Sequence, residues 1–275
     1  MTLLLALLAG ALIGLSLGAL GGGGSILAVP VLVYALGQSP AQATTGSLVV
    51  VGVTSLVGAT TAYAAGNVML ARGVAFGVVA IGGAVAGALA SSAVPEPVLL
   101  ASFAVLMVVV GILLAVRQWR DRRATPDAAH ARRPALDDPI ITFSPTFACQ
   151  CPRALKVLVT ATVVGLLTGF LGVGGGFLVV PALLVALSLP MAYAVGTSLV
   201  VITLTSAAAL LARVGTGVAP QWGPVIALTV AASVAAVIGT RIAERADTRR
   251  LSVAFTGLVL VAAGYTAAQA LPALV

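Results

Sequence analysis

The sequence predicts an all-α, polytopic membrane protein built from two inverted-topology repeats. Each repeat is expected to be a glycine-broken helical hairpin followed by three transmembrane helices. Hydrophobic residues make up 60% of the 275 residues and charged residues only 8%, whereas a soluble domain carries about a quarter charged residues. Several apolar stretches are long enough for membrane helices. A stretch of about 34 residues also occurs twice in similar form.

The repeated stretch reads LGALGGGGSILAVPVLVYALGQSPAQATTGSLVV at 17–50 and TGFLGVGGGFLVVPALLVALSLPMAYAVGTSLVV at 168–201. A shift of about 151 positions aligns the two copies without a gap and superimposes four glycines, a proline and the sequence Ser-Leu-Val-Val. In an apolar chain, two copies of a glycine-broken helix are typical of a membrane transporter built from internal repeats.

Ten apolar stretches follow one another along the chain. In order they are 3–20, 26–36, 41–64, 70–93, 96–117, 154–171, 177–188, 191–212, 222–243 and 251–271. Six of them reach about 20 residues, the length that a helix needs to cross a bilayer. The stretches 26–36 and 177–188 are too short to cross upright, and each follows a glycine cluster and contains a proline. We expect each to be the second arm of a hairpin or a discontinuous helix.

The distribution of charge divides the chain into a first repeat at 1–118, a linker at 119–153 and a second repeat at 154–275. Eight of the 14 Lys and Arg residues lie between Arg117 and Lys156. Because cytoplasmic loops retain cations, we place this linker in the cytoplasm. The sequence therefore predicts a multi-pass protein of the cell (plasma or inner) membrane.

Counting crossings from the linker tests this arrangement. The Arg72 loop and the 241–250 loop then lie inside, and the loops at 38–40 and 95–97 lie outside. Each half makes an odd number of crossings, so the repeats are expected to be inverted relative to each other. Arg213 is the one misplaced cation, and it could attract substrate at the outer mouth or snorkel to the interface.

The glycine clusters are the first candidate binding elements. A break inside the membrane frees backbone N–H and C=O groups that need partners. A helix that begins after such a break directs free N–H groups and its positive dipole end toward it, which suits an anion. The alternative is close helix packing through small residues. The candidates are Gly21, Gly22, Gly23, Gly24 and Ser25 in the first copy and Gly172, Gly174, Gly175 and Gly176 in the second.

Small hydroxyl side chains near the start of the next helix could donate further hydrogen bonds to an anion. They are Thr45 and Ser47 in the first copy and Thr197 and Ser198 in the second. A routine cap or an interhelical hydrogen bond is the alternative for each. The interiors of the spans contain no Asp, Glu, Lys or His, the side chains of proton relays and cation sites. This composition favours an anion held by neutral donors.

Other chemistries find little support in the sequence. Cys149 and Cys151 in the linker could serve redox chemistry, metal binding or sulfur handling, or be two free thiols. Two cysteines without a nearby His are too few for a closed zinc site, so we expect no metal. No arrangement of catalytic residues appears, so we expect no enzymatic activity and no cofactor. The net charge of +7 comes from loop cations, and no basic groove with interleaved aromatics indicates nucleic-acid binding.

The motif G-x-G-G-G or a near variant, an apolar arm with a proline, and then A-x-x-T/G-S-L occur in both halves. This paired motif resembles the sulfite exporter TauE/SafE family of membrane proteins, and the resemblance covers both halves outside the linker. The second copy is the closer match, since the first has TTGSL for VGTSL and Ser25 in place of Gly176. The resemblance implies transport of a sulfur-containing anion such as sulfite, thiosulfate or an organosulfonate.

Three functional hypotheses follow. The leading one is a transporter that binds a small inorganic or organic sulfur anion near the midplane of the lipid bilayer, with alternating access. The second is an anion channel that uses the breaks as a glycine-rich filter. The third is a membrane scaffold or sulfur-relay partner that uses Cys149 and Cys151. Association into a homo-oligomer is compatible with each hypothesis.

Overall fold

The computed structural model describes residues 2–91, 93–95, 151–172, 176–187, 189–214 and 219–245, with single positions or short runs between 98 and 116 and between 253 and 264. No β-strand occurs among these residues. The positions described between 98 and 116 and between 253 and 264 are all helical. Most of the predicted linker, including Cys149, lies outside the described residues, and Cys151 is placed only as the first residue of a helix.

In each half, one long helix is followed by a short helix and then by two long helices, in the order that the repeats predict. They are α1 Thr2–Leu20, α2 Ser25–Pro30 with a π-helical continuation Val31–Ala35, α3 Pro40–Ala64, α4 Leu70–Ser91, α5 Cys151–Leu171, α6 Gly176–Ala186, α7 Met191–Arg213 and α8 Trp222–Arg245. The short helices α2 and α6 follow the two glycine clusters, as expected. The prediction of an all-α fold is therefore confirmed for the part of the chain that the structure describes.

Four of the described helices are long and apolar enough to cross a bilayer, by length and composition. They cover Pro40–Ala64, Leu70–Ser91, Tyr193–Arg213 and Trp222–Ile242, and the shorter apolar helices are Leu4–Leu20, Ser25–Ala35 and Leu155–Leu171. Leucines along one side of α1 are more than half exposed, including Leu4, Leu8 and Leu12. In a lipid environment such outward apolar side chains are the normal surface, so the chain is a multi-pass membrane protein.

The connection between α2 and α3 positions the polar start of α3. Pro30 has no N–H to donate within its helix, and the chain widens after it into a π-helical turn. The side chain of Ser39 then caps α3: its hydroxyl oxygen accepts from the N–H of Gln42 at 3.3 Å, and the Gln42 amide oxygen accepts from the Ser39 N–H at 3.4 Å. Pro40 occupies the first turn, where its missing N–H costs nothing.

Each half packs its first helix against the last described long helix of the other half. On α1, a Cβ added to Gly14 or Gly18 would overlap the backbone of α8, at Ala232 and Ala236 respectively. The matching glycines of α5, Gly165 and Gly169, lie in the same way against Ala80 and Ala84 of α4. Glycine and alanine let helix backbones approach closely, which drives packing where lipid supplies no hydrophobic force. In both pairs the residue numbers rise together, so the paired helices run parallel.

Helices α3 and α7 meet in the middle of the described protein. Gly52 of α3 lies against Ser206, and Gly58 lies against Leu199. The residue numbers rise on one helix as they fall on the other, so α3 and α7 run antiparallel. Around them a buried apolar core joins both halves, with large side chains that include Ile13, Leu17, Leu32, Leu183, Leu199 and Ile202.

Candidate functional site

The first glycine cluster interrupts the chain between α1 and α2 inside the protein. The backbone φ angles of Gly21 and Gly22 are +68° and +153°, which side chains with a Cβ rarely adopt. All five predicted residues of this break, Gly21, Gly22, Gly23, Gly24 and Ser25, are buried. Their backbone groups therefore have to find partners within the protein or in a ligand.

The second break repeats the backbone geometry of the first. Gly172 has a φ of +65°, close to that of its counterpart Gly21. Each of these glycines donates its N–H to the carbonyl oxygen four residues earlier, at 2.8 Å for Gly21 and 3.0 Å for Gly172. The next helix begins at Gly176. The predicted residues Gly174 and Gly175 lie outside the described part of the chain.

Two serines join the breaks across the halves. The Ser47 hydroxyl of the first half donates to the carbonyl oxygen of Gly172, and the Ser198 hydroxyl of the second half donates to the carbonyl oxygen of Gly21. Each hydroxyl also lies within hydrogen-bond distance of the carbonyl three residues earlier in its own helix, at 3.0 Å and 2.7 Å. The two predicted serines thus bind the broken backbone of the opposite half.

The breaks fit against the first turns of α3 and α7 with no room for a side chain. A Cβ added to Gly21 would lie 2.5 Å from the Cα of Val195, and one added to Gly172 would lie 2.8 Å from the Cα of Thr44. Real Cβ atoms do not approach other heavy atoms so closely. Both conformation and space therefore require glycine at these two positions.

The starts of α2 and α6 lie side by side. A Cβ added to Gly176 would lie 2.7 Å from both the Cα of Gly22 and the Oγ of Ser25. The Ser25 hydroxyl donates to the carbonyl oxygen of Gly22 at 2.7 Å. The two helix N-termini, one from each half, therefore meet at a single place in the interior.

The two predicted threonines have structural partners in this conformation. Thr197 is fully buried, and its hydroxyl oxygen accepts from the N–H of Met69 at 3.0 Å. This contact joins α7 to the start of α4. The Thr45 hydroxyl donates to the carbonyl oxygen of Ala41, one turn earlier in α3, at 3.1 Å. Both threonines lie in the second turn of the helices that pack against the breaks.

Arg213 reaches inward from the end of α7. Its Nη1 donates to the Thr44 hydroxyl at 2.8 Å and lies 3.4 Å from the Thr45 hydroxyl oxygen. Its Nη2 donates to the Ser91 hydroxyl at 2.8 Å and to the carbonyl oxygen of Gly169 at 3.0 Å. The guanidinium group does not snorkel outward, one of the two sequence interpretations, but joins three helices just before the second break.

Several buried polar side chains were missed by the sequence analysis. Thr54, Ser55 and Ser206 are buried, yet their hydroxyl oxygens have no hydrogen-bond partner among the described residues. A signal for them was present, because the dipeptide Thr-Ser occurs at 54–55 and again at 205–206, the same spacing as the glycine motifs. The repeat of the glycine clusters is longer and more conspicuous than this repeat of two residues, so the Thr-Ser pairs were not named as candidates.

The polar groups around the breaks include several kinds of hydrogen-bond donor. Backbone N–H groups, hydroxyl groups and one guanidinium group surround the breaks, and these groups bind electron-rich oxygens. Within the described residues, no group of three or more His, Cys, Asp and Glu side chains comes together as a metal site would require.

Comparisons with known proteins give a matching family and similar membrane transporter proteins. The sequence profile of the family described as "Sulfite exporter TauE/SafE" matches residues 6–266. A "probable membrane transporter protein" of Xylella fastidiosa (strain Temecula1 / ATCC 700964) is 35% identical over 194 residues, which cover 70% of this chain and 67% of that protein. A second protein of the same description, from strain 9a5c, is 33% identical over 200 residues with the same coverage. No solved structure matches the chain significantly.

Proposed function

Because the chain belongs to the sulfite exporter TauE/SafE family and is a membrane transporter, we propose that it moves a small sulfur-containing anion across the cell membrane. Sulfite, thiosulfate and small organosulfonates are the candidate substrates. The observation that carries the proposal is the meeting of two buried glycine breaks, one from each half, at the starts of α2 and α6. Helix N-termini provide N–H groups and a partial positive charge, which together suit an anion.

The hydroxyl groups of Ser47 and Ser198 would be the exchangeable part of the site. In the present conformation they donate to carbonyl oxygens of the two breaks. A hydroxyl group has one proton to donate, and it can turn from a carbonyl oxygen to an anion oxygen by rotation about one bond. We propose that substrate takes over these hydrogen bonds on one side at a time, so that one hairpin is released while the other stays closed.

Arg213 would supply the positive charge of the pathway. Its guanidinium group donates hydrogen bonds to hydroxyl and carbonyl groups beside the second break. The equivalent position in the first half is Ala62, which carries no charge. A guanidinium group attracts an oxyanion at long range and can bind two of its oxygens at short range. The charge would therefore make entry to the second break more favourable than entry to the first.

The repeats are proposed to be inverted, with the linker at 119–153 in the cytoplasm. Helix packing supports this arrangement: α1 is parallel to α8, while α5 is parallel to α4. The start of α8 lies beside the start of α3, because Gln42 donates to the carbonyl oxygen of Ala219. Since α3 and α4 run in opposite directions, the equivalent helices α1 and α5 would also point in opposite directions through the membrane.

The glycines of the breaks provide the test of this function. The protein is reconstituted into proteoliposomes, and uptake of radiolabelled sulfite, thiosulfate and a short organosulfonate is measured. We expect Gly21→Ala and Gly172→Ala each to lower flux by about tenfold or more, because the added Cβ has neither the conformation nor the space it needs.

Gly82→Ala is the matched control, because a Cβ at Gly82 has no heavy atom within 4 Å. Its flux should stay close to that of the wild type. Wild-type liposomes that move none of the three anions would contradict the substrate assignment, and unchanged flux in both break variants would contradict the site. Single-channel currents in the same membranes would instead favour the channel hypothesis.

A further inference from the structure

The dipeptide Thr-Ser is repeated outside the glycine motifs. It occurs at 54–55 in α3 and at 205–206 in α7, about 151 positions apart, as the glycine breaks are. Thr54, Ser55 and Thr205 are 0% exposed and Ser206 is 1% exposed. Each half therefore contributes the same pair of hydroxyl groups to the protein interior.

These hydroxyl pairs lie where α3 crosses α7. A Cβ added to Gly52 would lie 3.3 Å from the Cβ of Ser206, so the two helices are in contact there. Gly52 of α3 thus lies opposite Ser206 of α7. Thr54 and Ser55 follow Gly52 on α3 by two and three residues, which is within about one helical turn. The repeated hydroxyl groups thus occupy the same level of the crossing.

The hydrogen bonding of this cluster is incomplete. The oxygens of Thr54, Ser55 and Ser206 have no partner in the part of the chain that the structure describes. By contrast, Thr205 donates to the carbonyl oxygen four residues earlier at 3.0 Å, and Thr203 does the same at 2.8 Å. That local bond is the usual solution for a hydroxyl group in a membrane helix. A buried hydroxyl group without any partner is costly, so such groups are suited to bind a polar ligand.

A fourth hydroxyl group without a partner among the described residues belongs to Ser233 of α8. α3 and α8 are in contact at Gly46 and Val225. Since the two helices run in the same direction, eight residues further along each of them lead to Thr54 and Ser233. The helices α3, α7 and α8 therefore each carry such a hydroxyl side chain near the same level of the bundle.

We propose that Thr54, Ser55, Ser206 and Ser233 form a second binding station for the transported oxyanion. The inference rests on the proposed function and adds a site that is separate from the glycine breaks. Hydroxyl groups can donate to the oxygens of an anion such as sulfite without burying a permanent charge. Thr54 follows Ser47 by two helical turns on the same face of α3, so an anion that leaves the second break meets this station next.

Thr54→Val and Thr203→Val are a matched pair of substitutions for the test. Both remove a threonine hydroxyl group and keep the shape of the side chain, but only Thr54 lacks a local hydrogen bond. Sulfite uptake into proteoliposomes gives KM and the maximal rate, and thermal unfolding in detergent reports folding. We expect Thr54→Val to unfold no earlier than the wild type while its uptake at low sulfite falls by about tenfold. Thr203→Val should stay within about twofold of the wild type.

Ser206→Ala is the second test variant, and a comparable loss of uptake in it would support the station. Wild-type KM and rate in both Thr54→Val and Ser206→Ala would overturn the inference, even if Gly172→Ala has lost flux and the proposed function stands. A raised unfolding temperature of Thr54→Val with normal transport would also overturn it. The hydroxyl group would then only destabilise the folded protein and would have no part in transport. A wild type that moves no sulfur anion would overturn the transport proposal and this station together.

Discussion

At the scale of single residues, the hydroxyl groups of Ser47 and Ser198 give the broken backbone its partners. Each donates to a carbonyl oxygen of the opposite break, and both serines are completely buried. A buried carbonyl oxygen that loses its donor costs about 1–3 kcal/mol, because neither water nor lipid replaces the bond. These two serines therefore help to hold the present conformation together.

Removing both serine hydroxyl groups tests how much they contribute to the stability of the fold. We expect Ser47→Ala combined with Ser198→Ala to lower the free energy of unfolding by about 2–6 kcal/mol, since two buried carbonyl oxygens lose a donor. Thermal unfolding in detergent measures the loss, and sulfite flux in proteoliposomes should fall with it. Ser102→Ala is the control, because the Ser102 hydroxyl is exposed and donates within its own helix. A double variant as stable as this control would show that the two interhelical bonds contribute nothing.

The direction of the Arg213 side chain could not be predicted from the residues next to it in the sequence. The residue ends an apolar helix, and both interpretations drawn from the sequence placed its charge toward the membrane surface. Its partners Thr44, Ser91 and Gly169 come from three other helices. A long, flexible side chain takes the direction in which its donors find acceptors, and that depends on the packing of the whole bundle.

At the scale of helices, small residues determine which helices become neighbours. Gly14 and Gly18 of α1 face alanines of α8, and Gly165 and Gly169 of α5 face alanines of α4. Lipid is as apolar as a leucine side chain, so close backbone approach and dispersion forces carry much of the association. These four glycines therefore serve helix packing, whereas Gly21 and Gly172 have the positive φ of breaks in the helix.

Substitution of the packing glycines should separate paired helices. We expect Gly14→Leu and Gly165→Leu each to destabilise the protein by about 3 kcal/mol or more, because the added side chain would overlap the backbone of the facing helix. Gly82→Leu, at a position with open space, should change stability by less than about 0.5 kcal/mol. Thermal unfolding of the three variants in the same detergent compares them. Equal unfolding temperatures in all three would contradict close packing at α1–α8 and α4–α5.

At the scale of the whole molecule, the two halves exchange their first helices. α1 packs on α8 of the second half, and α5 packs on α4 of the first half. Neither half thus buries its own first helix by itself, and the breaks lie between the halves.

Labelling of equivalent loops tests the proposed inversion. In a background without Cys149 and Cys151, single cysteines are introduced as Ala65→Cys, in the α3–α4 loop, and Gln221→Cys, in the matching α7–α8 loop. An inverted pair of repeats puts these loops on opposite sides, so a membrane-impermeant maleimide added to intact cells should label only Gln221→Cys. Inside-out vesicles should show the reverse. Labelling of both positions from the same side would contradict the inversion.

Much of this architecture could be predicted because helices and breaks are local properties. Apolar length sets the membrane helices, and runs of glycine set the breaks, since glycine both weakens a helix and permits positive φ. The predicted short arms correspond closely to α2 with its π-helical continuation and α6. Gly21, Ser25, Gly172, Gly176, Ser47 and Ser198 were all named from the sequence, and the structure brings them together.

Composition, apolar length and the internal repeat determined by themselves that the chain is a helical membrane protein with two broken hairpins. Only the tertiary structure decided what each hydroxyl group binds, because Ser47 and Gly172 are 125 residues apart, and Ser198 and Gly21 are 177 apart. The inward direction of Arg213 was likewise decided there, as was the burial of the Thr54 and Ser206 hydroxyl groups without a partner among the described residues. Hydropathy and φ are properties of a few neighbouring residues, whereas a hydrogen bond between halves exists only once the helices have docked.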